Sequence, residues 1–214
     1  MKMEMNPANV VIIARQFNPS IISQYWLIKN GIFTEEEIQP DSIFSPVIAN
    51  VHSKDCQILV LPEQLQFMSK LIDQSGQELL ISKLGKIVQA LPHTPFVAVG
   101  LNFSWQVYDE DDVSSAALGR KLFFRGDSPL YKFFDVDDAR FGSYMSRDIL
   151  GCRLKLDIKP VTVPCPEGVS NRLLFGFNFH LQLTEDDKAE SILNLFQKWD
   201  EAKETAVSLM KQIA

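Results

Sequence analysis

Residues 96–107 read FVAVGLNFSWQV, and residues 173–183 read LLFGFNFHLQL. In the first stretch Val97, Val99, Leu101, Phe103, Trp105 and Val107 share one side of a period of two; in the second, Leu173, Phe175, Phe177, Phe179, Leu181 and Leu183 do. Alternation over this length is the signature of a half-buried strand, whose side chains point by turns to the two faces of a sheet. Superposing Gly100 on Gly176 also aligns Asn102 with Asn178, Phe103 with Phe179 and Gln106 with Gln182. After one extra residue, Tyr108, the acidic pair Asp111-Asp112 falls on Asp186-Asp187, and a helix-like pattern follows in both copies. The two stretches read as the core strands of an internal repeat.

The other side of each strand is small and polar. It shows Gly100, Asn102, Ser104 and Gln106 in one copy and Gly176, Asn178, His180 and Gln182 in the other. A glycine inside a strand loses packing and costs entropy, so the repeated glycine predicts a bulge or a close approach over the backbone, with a crossing helix as the expected neighbour. Set side by side, the two strands place Asn102, Ser104, Gln106, Asn178, His180 and Gln182 on one surface. These six are the candidate ligand-binding residues, as the floor of a cavity between sheet and helices. The plainer reading has their amides satisfied in solvent or beneath a helix.

Outward from this pair, Asn9 to Phe17 reads as a strand and Ile21 to Lys29 as a helix entered through Asn18-Pro19-Ser20 and stopped at Asn30-Gly31. Thr34 caps one short turn carrying Glu35, Glu36 and Glu37. Ile43 to Val51 and Cys56 to Met68 are strand-like and joined at His52-Ser53-Lys54-Asp55, but Pro46 and Pro62 cannot donate to a ladder, so these strands are expected at an edge, bulged or broken. Gln77 to Leu91 keeps Leu79, Leu80, Leu84, Ile87, Val88 and Leu91 on one helical stripe, and Pro92 and Pro95 end it.

Past the first core strand, Val113 to Phe124 predicts a helix and Leu130 to Phe134 a helical turn, with Phe123, Phe124, Tyr131, Phe133 and Phe134 as an aromatic cluster. Phe141 to Asp148 and Leu150 to Val163 read as a strand pair, the second wet on the face of Arg153, Lys155, Asp157 and Lys159. Pro164-Cys165-Pro166-Glu167-Gly168 links to the second core strand. A long C-terminal helix from Glu185 to about Ile213, capped by Thr184-Glu185-Asp186-Asp187, keeps Trp199, Leu209, Met210 and Ile213 on its apolar stripe. At that length it is expected to outrun its sheet and offer its distal end to a partner.

Catalytic signatures are missing. The 214 residues hold no glycine-rich phosphate loop, nucleophile elbow, paired-histidine zinc motif or dinucleotide fingerprint. Asp111-Asp112, Asp186-Asp187, Asp135, Asp137 and Asp138 supply the oxygen ligands magnesium wants, yet acids at helix starts are accounted for by capping and the helix dipole. Three cysteines at these spacings match neither a disulfide framework nor a zinc knuckle. Cys56 and Cys152 read as buried apolar residues and Cys165 as a loop thiol with no local base.

A net charge of −6 without a basic cluster argues against a nucleic-acid binder. The apolar run before Arg15 is too short for a signal peptide and no stretch has the length of a membrane span, so a cytoplasmic protein is expected. The reading is an α+β protein, a single domain of two similar halves (about 1–125 and 126–214) with an antiparallel sheet covered on one face by helices and a long C-terminal helix. It predicts a non-enzymatic interaction or assembly protein, a subunit of a homo-oligomer or larger complex, with no cofactor or metal. Phe133, Phe134, Trp199, Leu209, Met210 and Ile213 are its candidate partner-binding residues. The alternative is a small-ligand-binding protein or enzyme built on the polar stripe.

Overall fold

A computed structural model describes residues 1–71, 75–108, 112–166, 168–184 and 188–213, with the backbone alone at 112–114. The acids at 109–111 and 185–187, the side chain of Asp112 and Glu167 lie outside the described residues. The chain is an α+β fold in which ten strands form one antiparallel sheet. Its axis is β7 (Phe96–Tyr108), flanked by β10 (Gly168–Gln182) on one side and on the other by β2 (Asn9–Ala14) and β1 (Lys2–Met5), which run end to end along the same edge. Pro7 separates those two, and the Asn6 N–H, donated to Ser104 O at 2.9 Å, carries the pairing across the gap.

Beyond β2 lie β6 (Gln64–Ser69), β5 (Cys56–Val60), β4 (Ala49–His52) and β3 (Ile43–Phe44). Beyond β10 lie β9 (Cys152–Cys165) and β8 (Ser143–Ile149). The two proline-bearing runs are thus four strands: Pro46 and Pro62 sit in turns closed by Ser45 N–H to Ile48 O and Leu61 N–H to Gln64 O, so neither proline is asked to donate to the ladder. Leu150, expected to begin a strand, lies instead with Gly151 in the two-residue turn between β8 and β9. Both have positive φ, 58° and 73°, as the right-handed twist of a tight hairpin requires.

The apolar residues of β7 and β10 meet helices. These are α2 (Ser75–Leu80) and α3 (Lys86–Ala90), joined by a wide π turn at 81–85, then α4 (Asp112–Phe123), α6 (Lys188–Phe196) and α7 (Trp199–Lys211). Leu80, Leu84, Ile87, Val88, Leu118, Ile192, Leu195 and Phe196 join Leu101, Phe103, Phe175, Phe177 and Phe179 in one continuous core. At Gly85 an added Cβ would stand 3.4 Å from the Leu193 side chain, so its bareness lets α6 close on the π turn. Two further short helices, α1 (Gln24–Lys29) and α5 (Pro129–Phe133), lie in the connections, and α1 is capped by the Ser23 hydroxyl. Among the described residues no helix is long and apolar enough to cross a membrane.

The C-terminal helix is not continuous. It breaks at Gln197 and Lys198, where Gln77 Nε2 donates to the carbonyls of Phe196 and Gln197 at 3.2 and 2.8 Å and Lys198 Nζ reaches Leu150 O at 2.7 Å. The carbonyls of Phe196 and Gln197 at the break are thus met by Gln77 of α2, and α7 restarts with Asp200 and Glu201 in its first turn, where the dipole favours acids.

Candidate functional site

The polar stripe lies on the sheet face the helices leave open. The pairing of β10 with β7 sets Asn178 directly opposite Asn102, and that of β2 with β7 sets Asn9 opposite Asn102. Three asparagines therefore cross three strands in one row. Asn178 Nδ2 donates to Asn102 Oδ1 at 2.6 Å, and Asn102 Nδ2 donates to Asn9 Oδ1 at 2.9 Å. A Cβ added at Gly100 would sit 2.6 Å from Asn178 Nδ2, so the close neighbour that glycine admits is this amide and not a crossing helix. Gly176 plays no such part: its Cβ would find only ordinary contact, 3.5 Å from Asp157 O.

Antiparallel pairing draws the rest of the stripe apart. Ser104 and Gln106 fall toward one end, where Arg172 Nη1 donates to Gln106 Oε1 at 2.7 Å, Gln106 Nε2 to Asn6 Oδ1 at 3.0 Å and Asn6 Nδ2 to Ser104 Oγ at 2.9 Å. His180 and Gln182 fall toward the other, opposite Gly100 and Ala98, and Gln182 Nε2 donates to Val97 O. Partial burial, with Lys155 adding to it, holds the His180 imidazole below its ordinary pKa against an opposing hydrogen bond to Gln182. The shift favours its neutral form. The six residues thus fall into three groups, Asn102 bonded to Asn178, Ser104 and Gln106 joined through Asn6, and His180 bonded to Gln182, and the Asn102–Asn178 bond is the one that joins the two strands' stripes.

This corrects the cavity expectation. The stripe points away from the helices and cannot floor a space between them and the sheet; what it lines is a depression of about 240 Å³ on the open face, bordered by Val11, Ile13, Ala98 and His180. Its amides are largely spent on one another, which is the chemistry of a specified sheet register more than of a waiting ligand floor. Asn102→Ala leaves an acceptor on Asn9 and a donor on Asn178 unpaired. It is expected to cost about 1–3 kcal/mol in urea unfolding, whereas a solvated side chain would cost almost nothing.

The candidate partner residues also divide. Trp199 and Met210 are in the core, and Leu209 and Ile213 pack partly against it. Helical spacing placed them on one stripe, and that stripe is the buried one. Phe133 and Phe134 are 81% and 48% exposed, with Leu130 and Val136 exposed beside them. Their segment is anchored from α4: Arg120 donates to Asp135 Oδ1 at 2.7 Å and to Val136 O at 2.6 Å, with its guanidinium over the rings of Phe124 and Phe141. Phe124, Tyr131 and Phe141 pack together, so the aromatic cluster splits into a packed root and a solvent-facing tip. Leu130 reads as part of the helical turn but not as a partner residue, and Val136 carries no signal, because an isolated aliphatic residue in a loop has no period.

Elsewhere the chemistry is quiet. His52 Nδ1 lies 2.6 Å from Asp41 Oδ2, but its other ring nitrogen meets Gln57 and no nucleophile. Cys56 and Cys152 are buried, and burial pushes both thiols up, away from thiolate reactivity. Cys165 pairs with Gly168 across the β9–β10 hairpin and is half-buried. Asp135 is taken by Arg120, and no group of three or more His, Cys, Asp or Glu is placed to hold a metal among the described residues. No family model, curated protein or solved structure matches this chain. Its function is therefore argued from its own surfaces.

Proposed function

We infer that this is a non-enzymatic interaction or assembly protein of the cytoplasm, a subunit of a homo-oligomer or a larger complex, and that the tip of the α5 segment is its contact. The observation that carries the reading is Phe133, 81% exposed on a rooted segment beside Phe134, Leu130 and Val136. A phenylalanine left this bare forfeits the burial that places most of its kind inside, and contiguous exposed apolar residues mark contact surfaces. The rigid root supports this, since a pre-positioned aromatic loses little entropy on docking.

The open face lends a second, weaker support. Across β5, β6, β2 and β7, and on β10 from Leu174 to Gln182, its alternating positions carry amides, hydroxyls, apolar side chains and His180, with no acid and no lysine or arginine. Depletion of charge is the compositional mark of interface centres. The two-halves reading belongs here as well: pairing Asn102 with Asn178 is what a local twofold between repeat-related strands would require.

The test is the mass of the full chain by light scattering across concentration, with the double variant Phe133→Ser/Phe134→Ser beside it. The wild type is expected to self-associate, and the variant to dissociate at concentrations roughly a hundredfold higher, as for the loss of two hot-spot side chains of about 1.4 kcal/mol or more each, with its unfolding midpoint unchanged. A wild type that stays monomeric at every concentration removes the homo-oligomer.

A further inference from the structure

A cavity of about 130 Å³ opens where α4, the base of the α5 segment and the far end of the β9–β10 hairpin meet. Ser115 and Ala116 of α4 form one wall, Thr162 and Leu173 of the hairpin the floor, and Arg140 and Phe141 the remaining side. Against the roughly 30 Å³ a water takes in the liquid, it has room for a molecule of several heavy atoms.

Packing does not explain Ser115. It is 6% exposed, lines the cavity, and its hydroxyl has no hydrogen-bond partner among the described residues. Leaving such a group unpaired is costly, and buried hydroxyls nearly always find a partner. The neighbours do not supply one: Thr162 spends its hydroxyl proton on Asn171 Oδ1 at 3.2 Å, and the Arg172 guanidinium is turned to Gln106 and stacked over Tyr108. Arg140, at the mouth, gives Nη1 to the carbonyls of Asp138 and Ala139 and has no carboxylate partner among the described residues.

The lining therefore sets the ligand's chemistry. Among the described lining residues there is no acid; the Ser115 hydroxyl and the rest of the Arg140 fork can donate, and Ala116, Phe141, Pro160 and Leu173 make the walls apolar. Donors in the lining call for an acceptor-rich head, a guanidinium favours that head as an anion, and the apolar walls favour a short hydrocarbon tail. We propose that this cavity binds a short-chain aliphatic monocarboxylate, its carboxylate held by Arg140 and Ser115 and its chain laid against Ala116, Phe141 and Leu173. The proposal stands on the cavity and the orphaned hydroxyl, independently of the interaction reading.

The test is calorimetric titration of the full chain with sodium butyrate, against sodium chloride at equal ionic strength and against neutral butyramide. Saturable binding of butyrate is expected, weaker by roughly tenfold or more in Arg140→Gln and in Ser115→Ala, and abolished in Ala116→Leu, whose longer side chain fills the space. Melting curves of each variant confirm the fold, and Ser115→Ala without ligand should be no less stable, since it removes an unpaired hydroxyl. If Ala116→Leu fails to fold, the exposed Arg140→Gln decides alone. Binding that survives the folded Ala116→Leu or is unmoved by Arg140→Gln lies elsewhere and overturns the site. Equal binding of butyramide overturns the anionic class, and no saturable binding of either leaves the cavity to water and overturns the proposal.

Discussion

Trp199→Ala is expected to lower stability by about 3–5 kcal/mol, read as the shift of the urea unfolding curve at constant m-value. Trp199 is 1% exposed at the restart of α7, its ring 4.8 Å from that of Phe103 in an edge arrangement, and its indole nitrogen comes within 3.8 Å of where a Cβ on Gly76 would be. It joins the central strand, α2 and α7 at one point. Truncation empties a volume that three different elements would have to move to refill, so relaxation recovers little of the loss. Phe133→Ala, a comparable deletion on the exposed tip, should stay within about 0.5 kcal/mol. If the two swapped, with Trp199→Ala leaving stability intact while lowering the oligomeric mass, the indole would be a partner contact.

Gly142→Ala is the second large effect, and it acts on backbone. A Cβ there would run into the carbonyl oxygen of Ile158, well inside van der Waals contact, and stand 3.2 Å from the Lys159 Cα. A side chain could rotate away; a strand carbonyl cannot. The entry to β8 must therefore lift from β9, beginning at the Ser143–Ile158 pair. We expect a loss of about 1–3 kcal/mol or more, with faster amide exchange confined to the start of β8, because β8 is the sheet's last strand and nothing else hangs on it. Gly176→Ala is the matching control. Its Cβ meets only ordinary contact, and gaining a side chain mid-strand should leave stability unchanged or slightly raised.

The contrast between those glycines shows what the sequence made legible. Alternation in 96–107 and 173–183 located the two central strands and sorted their faces correctly, because burying one side of a strand leaves a periodic trace. Pro46 and Pro62 marked chain breaks because a missing N–H is a local fact. The partner of each face was not legible. Gly100 and Gly176 look alike in the chain, yet only Gly100 has an asparagine amide over it, a fact of register between strands far apart in sequence. Asn9 completes the asparagine row only because β2 inserts beside β7, which no local period announces. The apolar stripe of the last helix was read correctly as a stripe, but whether such a stripe meets the core or a partner depends on where the sheet ends. Ser115 had no signal at all, since an unpaired hydroxyl is a property of its surroundings.

The insertion of β2 between β6 and β7 also bears on how the chain is made. Its sequence neighbours in the sheet are not its spatial ones: Asn9–Ala14 pairs with Gln64–Ser69 and with Phe96–Tyr108, and β1 with the far end of the latter. Pairings of such long sequence separation raise the contact order and place folding toward the slow, millisecond-to-second end. During synthesis the run Val10-Val11-Ile12-Ile13 emerges before residues 64–108 and finds no ladder until both later strands have left the ribosome. For that interval it is a bare, uncharged, β-branched edge, the kind of segment that pairs with the wrong chain. A strand that ends in the middle of the finished sheet is thus a hazard of the nascent chain, and the yield of folded protein should depend on how quickly residues 64–108 follow it.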